Sequence, residues 1–166
     1  GVVHSYIHPG SRLGVLVEIN CQTDFVARSD DFKVFVDAVG LQIASMTPLF
    51  VRRDDISDDD ISKQKSLFAQ QMAEDEAKTG KSKPPEVAER ILTGKLDKWQ
   101  TEVCLDEQPA VQSEEGKTIA RLAEELTAKI GEKIQVRRFV RFELGEGIEK
   151  KKTDLAAEVA ETFAAG

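Results

Sequence analysis

Ile134-Gln135-Val136-Arg137-Arg138-Phe139-Val140-Arg141-Phe142-Glu143-Leu144 alternates with a period of two over eleven residues, and reads as the longest strand of the chain. The spacing places Ile134, Val136, Val140, Phe142 and Leu144 on one face, with Arg138 intruding, and Arg137, Phe139, Arg141 and Glu143 on the other. A strand this late needs partners from far back in the sequence. Val2 to His8 and Leu13 to Asn20 supply them, joined by Pro9-Gly10-Ser11-Arg12, whose Pro-Gly pair suits the centre of a type II turn. Between hairpin and late strand the pattern is helical, and Asp154 opens a last Ala-rich helix through Leu155, Val159 and Phe163. That order lacks the regular alternation of a parallel α/β fold. It defines an α+β class: a small antiparallel sheet, hairpin plus late strand, covered by several helices.

The intervening helices announce their own ends. Thr23 and Asp24 form a cap and an acidic first turn, and Ser29-Asp30-Asp31 repeats that chemistry six residues later. The repetition predicts one short turn over Asp24 to Arg28, then a helix running to Met46 and ended by Pro48. Leu49-Phe50-Val51 fits an edge strand. Ser57 caps a helix carrying Ile61, Leu67, Phe68 and Met72, and Pro84 or Pro85 opens another carrying Val87, Ile91, Leu92, Leu96, Trp99, Val103 and Cys104. These two make a helical segment over about 54–106. Thr118 caps a further helix through Ile119, Leu122, Leu126 and Ile130, which Gly131 ends.

Within Thr23-Asp24-Phe25-Val26-Ala27-Arg28, the place of Phe25 has two readings. Phe25, Phe32, Phe35, Val36, Val39, Ile43 and Met46 share helical spacing, which favours an inward-packed aromatic. The second cap at Ser29 instead leaves Phe25 near a corner.

Composition narrows the chemistry. With 166 residues, 40% of them apolar and 32% charged, the chain can bury roughly 70% of its unfolded surface. No run approaches the roughly 18 apolar residues that a membrane span needs. Gly1-Val2-Val3-His4 lacks the regions of a signal peptide, and Gly1 in place of an initiator Met is what a processed or trimmed chain shows. A net charge of −7 opposes a phosphate backbone, so no nucleic-acid partner is expected. Cys21 and Cys104 read as core thiols in a reducing compartment.

Motifs for catalysis and ligand binding are weak. His4 and His8 lie roughly 13 Å apart along one strand, too far to share a metal ion. The acidic run at Asp54 to Asp60 lacks the Gly and Glu of a calcium loop, and Gly80-Lys81-Ser82 lacks the earlier Gly and the strand of a phosphate loop. Arg137-Arg138-Phe139-Val140-Arg141-Phe142 mixes basic and aromatic residues, yet it is better explained by strand pairing to acids such as Glu18. No catalytic residue, cofactor or metal is expected.

Four separated segments together resemble one family, the translation elongation factors Ts. They are His4-Ser5-Tyr6-Ile7-His8, Gly14-Val15-Leu16-Val17-Glu18, Thr23-Asp24-Phe25-Val26-Ala27-Arg28 and Ile130-Gly131-Glu132-Lys133-Ile134-Gln135-Val136-Arg137-Arg138. The resemblance implies a guanine-nucleotide exchange factor, not an enzyme, that acts on the GTPase elongation factor Tu. It implies that Asp24 and Phe25 are driven into the GTPase domain near its phosphate and magnesium site, with Ile130 and Gly131 supporting the wedge and His8 touching another part of that domain. On this basis Phe25 faces solvent until the partner arrives. A translation-associated binding module without exchange activity is the other reading. The resemblance further implies that 1–166 is the family's core domain without its leading helical module, that it belongs to the short class that forms a homodimer, and that it works in a bacterial cytoplasm or in the stroma or matrix of a chloroplast or mitochondrion.

Overall fold

The computed structural model describes residues 1–149. The helix expected from Asp154 lies outside them. Strands β1 (Val2–Ile7), β2 (Leu13–Asn20) and β3 (Gln135–Glu143) form an antiparallel sheet in the order β1-β2-β3, so the α+β class is observed with the middle place taken by the second strand of the hairpin. Pro9 and Gly10 sit at the centre of the hairpin turn. Ser11 N donates to His8 O at 3.0 Å and Gly10 has φ +92°, the conformation that a type II turn requires and that glycine adopts without strain.

The late strand departs from simple alternation. Glu18 pairs with Arg138 but Ile19 pairs with Val136, so Arg137 is the extra residue of a β-bulge. One inserted residue reverses the faces of everything beyond it. Val136 and Phe139 therefore share the inner face, and Arg141 lies opposite inward-facing Val15, whereas Arg138, Val140 and Phe142 share the outer face. The apolar face read from the sequence is split: Val136 turns in, while Val140, Phe142 and Leu144 remain exposed. The bulge also brings two consecutive arginines to one acid, with Arg137 Nη1 at 2.8 Å and Arg138 Nε at 2.7 Å from the Glu18 carboxylate. Their hydrogen bonds hold the Glu18 carboxyl below its usual range.

Helix α1 (Asp24–Ala27) is a single turn and α2 (Asp30–Met46) is the main helix, divided where the second cap predicts. Helix α2 covers the inner face of the sheet. Phe32, Val39 and Ile43 are fully buried against Val15, Val17 and Ile19, each such side chain contributing about 1.5–3 kcal/mol relative to exposure. Two buried polar groups are satisfied: Gln42 donates to Gln108 and Pro109 O and accepts from Val111 N, which fastens the loop after residue 108 to the back of α2.

Leu49-Phe50-Val51 does not join the sheet. Thr47 ends α2 in the left-handed region at φ +48°, which turns the chain toward Val103 and Cys104; there Phe50 makes a parallel bridge with Cys104. Helices α3 (Asp58–Thr79) and α4 (Pro85–Val103) pack chiefly on each other, and between them only Met72 is fully buried. Arg53 fixes the base of this helical hairpin by donating to Glu107, to Asp97 at 2.7 Å and to Thr101 at 3.1 Å. Helix α5 (Ile119–Ile130), capped by Thr118, packs beside α2 and leads into β3. Cys21 and Cys104 are both free thiols. Among the described residues no helix is long and apolar enough to cross a membrane.

Candidate functional site

Helix α1 follows directly from the end of β2. Thr23 is its N-cap, with Oγ1 accepting from Val26 N at 3.3 Å, and the turn closes through Arg28 N to Phe25 O. The small Ala27 packs against the core at the end of this turn, and of the two larger apolar side chains, Phe25 and Val26, only one enters it. Val26 does so, at 4% exposure, while Phe25 stands 85% exposed. Helical spacing with Phe32 is therefore misleading here, because the cap at Ser29 starts a new helix and the two aromatics do not lie on one cylinder.

The Asp24 carboxylate is 90% exposed and lies 3.9 Å from the Arg28 guanidinium. Its contribution is the favourable one of an acid at a helix start. The turn itself is held from elsewhere. Glu132 Oε2 accepts from Gln22 N and Thr23 N, both at 3.0 Å, and Oε1 accepts from Thr23 Oγ1 at 2.7 Å. The Thr23 hydroxyl first, and the two amides after it, hold the Glu132 carboxyl below the usual carboxylate range.

Glu132 reaches the turn because α5 stops at Gly131. That residue has φ +81°, and its N–H closes the helix on Thr127 O at 2.8 Å. The left-handed conformation suits glycine, and it redirects the chain within one residue. Thr127 Oγ1 then accepts from Ile134 N at 3.0 Å, which steadies the entry to β3. Ile130 is half-buried against the core and Gly131 is exposed. The sequence reading grouped Asp24, Phe25, Ile130 and Gly131, and Glu132 ties their two segments together. It named no role for Glu132; the signal was an acid directly after a glycine helix stop within a motif already quoted.

His8 is not part of this cluster. It follows β1 at the opposite end of the hairpin, with its N–H bonded to Leu13 O, so the length of β2 separates it from Phe25 by roughly 24 Å. Its Nδ1 lies 3.0 Å from the Tyr6 hydroxyl, which leaves Nε2 for an outside partner. Between these two ends, the outer face of the sheet exposes Val3, Leu16, Val140 and Phe142.

A family model described as Elongation factor TS matches residues 1–146. A protein named elongation factor Ts from Desulforamulus reducens is 48% identical over 160 residues, spanning 96% of this chain and 70% of that relative. Its namesake from Carboxydothermus hydrogenoformans is 49% identical over the same shares. A third, from Myxococcus xanthus, is 48% identical over 98% of this chain and 71% of the relative. The chain belongs to the elongation factor Ts family.

Proposed function

We propose that this chain is a guanine-nucleotide exchange factor, which binds elongation factor Tu and promotes release of its bound GDP. The observation that carries this reading is Phe25, a large aromatic held at 85% exposure on a turn whose backbone is fixed. Aromatic side chains dominate the energetics of protein interfaces, and one that is already positioned loses little conformational freedom on docking. Asp24 and Phe25 enter the GTPase domain, Ile130 and Gly131 back the turn, and His8 meets a separate part of the partner.

The mechanism is linkage. A factor that binds the nucleotide-free GTPase more tightly than the loaded one weakens nucleotide binding by the same ratio. No covalent step, cofactor or metal of this chain is required. Disturbance of the loops that hold phosphate and magnesium raises the nucleotide off-rate, and free GTP completes the exchange in the bacterial cytoplasm or a derived organelle.

His8 and Phe25 sit too far apart to act as one patch. Two copies joined through the outer sheet faces bring His8 of one copy toward the same side as Phe25 of the other. That face is apolar at Val3, Leu16, Val140 and Phe142, and its acid Glu18 is already matched by Arg137 and Arg138. A two-fold contact of this face with itself therefore leaves Glu18 paired, while the two arginines, both exposed, carry one net positive charge per copy. In this reading 1–166 is the core and dimerisation unit, and the α3–α4 hairpin projects from it.

The test is release of labelled GDP from elongation factor Tu with and without the chain. Acceleration is expected; saturating protein without acceleration would leave a binding module that lacks exchange activity. Sedimentation of wild type and Phe142→Lys reads the dimer, and a wild-type monomer at concentrations where exchange is active overturns it.

A further inference from the structure

We infer that Glu132 is a positioning residue: it clamps the turn Thr23–Ala27 from outside the helix and sets the direction in which Phe25 projects. The functional half of this inference rests on the exchange reading above; the mechanical half does not.

A single helical turn cannot hold itself, because fixing its dihedral angles yields too few hydrogen bonds to offset the lost entropy. Packing adds little here. Of the four residues in α1 only Val26 is buried, the small Ala27 packs partly against the core, and the Phe25 side chain stands in solvent. Gln22 and Thr23 lie past the last paired residue of β2, Asn20, so the sheet ladder does not take their N–H groups. One carboxylate takes both, and its second oxygen takes the Thr23 hydroxyl.

The arrangement is economical in atoms. Thr23 Oγ1 donates to Glu132 while accepting from Val26 N, so the cap that starts α1 and the clamp that anchors it share one oxygen. Hydrogen bonds to an ionised acceptor are about twice as strong as neutral ones. Glu132 is itself located by the glycine stop at Gly131 and by the Thr127 to Ile134 bond, both more than a hundred residues beyond the turn. Asp24, though adjacent, makes none of these contacts.

The test compares Glu132→Ala, Glu132→Asp and Glu132→Gln with wild type. Asp keeps the charge but is one methylene too short to span both segments. Gln keeps the reach: its oxygen can accept the two amides and its NH2 can donate to Thr23 Oγ1, which has a second lone pair free. Three readouts are needed: hydrogen exchange of the Gln22 and Thr23 amides, thermal melting, and GDP release from elongation factor Tu at limiting factor.

For Ala and Asp, the two amides should exchange about tenfold faster and GDP release should slow by about tenfold, as expected for loss of one charge-assisted contact. Gln keeps the reach without the charge, so it should leave both effects at about threefold, midway between wild type and Ala on a logarithmic scale, and melting should move by only a few degrees in every variant. Unchanged amide protection in Ala and Asp overturns the clamp. Loosened amides with normal GDP release, when Phe25→Ala is slow, overturn its role in aiming the aromatic. If wild type itself fails to accelerate release, the exchange reading falls, and amide protection still decides whether Glu132 holds the turn.

Discussion

Strand β2 ends in two solvent-exposed turns that are closed in opposite ways. At its start, His8-Pro9-Gly10-Ser11 closes on itself: Ser11 N bonds to His8 O and His8 N to Leu13 O, all within six residues. At its end, Thr23–Ala27 depends on Glu132, 109 residues from Thr23. A locally closed turn keeps its shape as long as the hairpin exists. A remotely clamped turn keeps its shape only while two distant parts of the fold stay in register, which makes it adjustable by anything that moves α5 or β3.

Substitutions ranked by expected size probe this contrast. The largest effect belongs to Phe25→Ala, which should slow GDP release from elongation factor Tu by about 30-fold or more, the loss typical of a central interface aromatic, while barely moving the melting temperature. The control is Phe32→Ala one helix later: fully buried, it should cost about 3–5 kcal/mol of stability. Equal melting shifts for the two would show that Phe25 packs inward in solution.

Thr23→Ala removes the cap and a clamp bond together, and should cost about 1–2 kcal/mol by denaturant unfolding, with slower exchange. Gly10→Ala strains a residue at φ +92° and should cost about 1 kcal/mol by the same measurement, yet leave GDP release unchanged. If Gly10→Ala slows release as much as Thr23→Ala, the two turns are coupled and the contrast fails.

Acid gives the smallest and most selective effect. The Glu132 carboxyl in the folded chain lies below its ordinary value of 4.5, so its contribution is fully present above that value and is lost as pH falls through the lowered one. Amide exchange followed from pH 6 downward, corrected for intrinsic rates, should therefore show Gln22 and Thr23 losing protection there. Ser11 N bonds a backbone carbonyl and should not respond. Simultaneous loss at both turns would indicate global unfolding instead.

Much of this architecture was legible because it is written in local chemistry. Thr23, Ser29, Ser57 and Thr118 each cap the helix expected of them, and Gly131 ends α5 as its position predicts. The pairing of Arg137 and Arg138 with Glu18 was also readable, since opposite charges on neighbouring strands attract. The bulge was not. Its position depends on which residues of β2 and β3 face each other: Arg138 intruding on the apolar face marks a break in the pattern, but not which residue is skipped. Leu49-Phe50-Val51 has strand composition, but its hydrogen-bonding edge is offered by the end of α4, which only the tertiary path reveals. At the candidate site, the sequence singled out the two segments but not the bond that joins them: a long-range carboxylate-to-amide bond has no sequence period.

The strand order carries a consequence for how the molecule is made. Synthesis delivers β1, β2 and the aromatic turn well before the residues that complete them: the open edge of β2 is filled only by residues 135–143 and the turn is latched only by residue 132. Non-local pairings of this kind close late and slowly, since the loop entropy must be lost before the contacts reward it. A growing chain therefore displays Phe25 on an unlatched turn while residues 28–131 are still being made, and it acquires a directed aromatic only once Glu132 has followed.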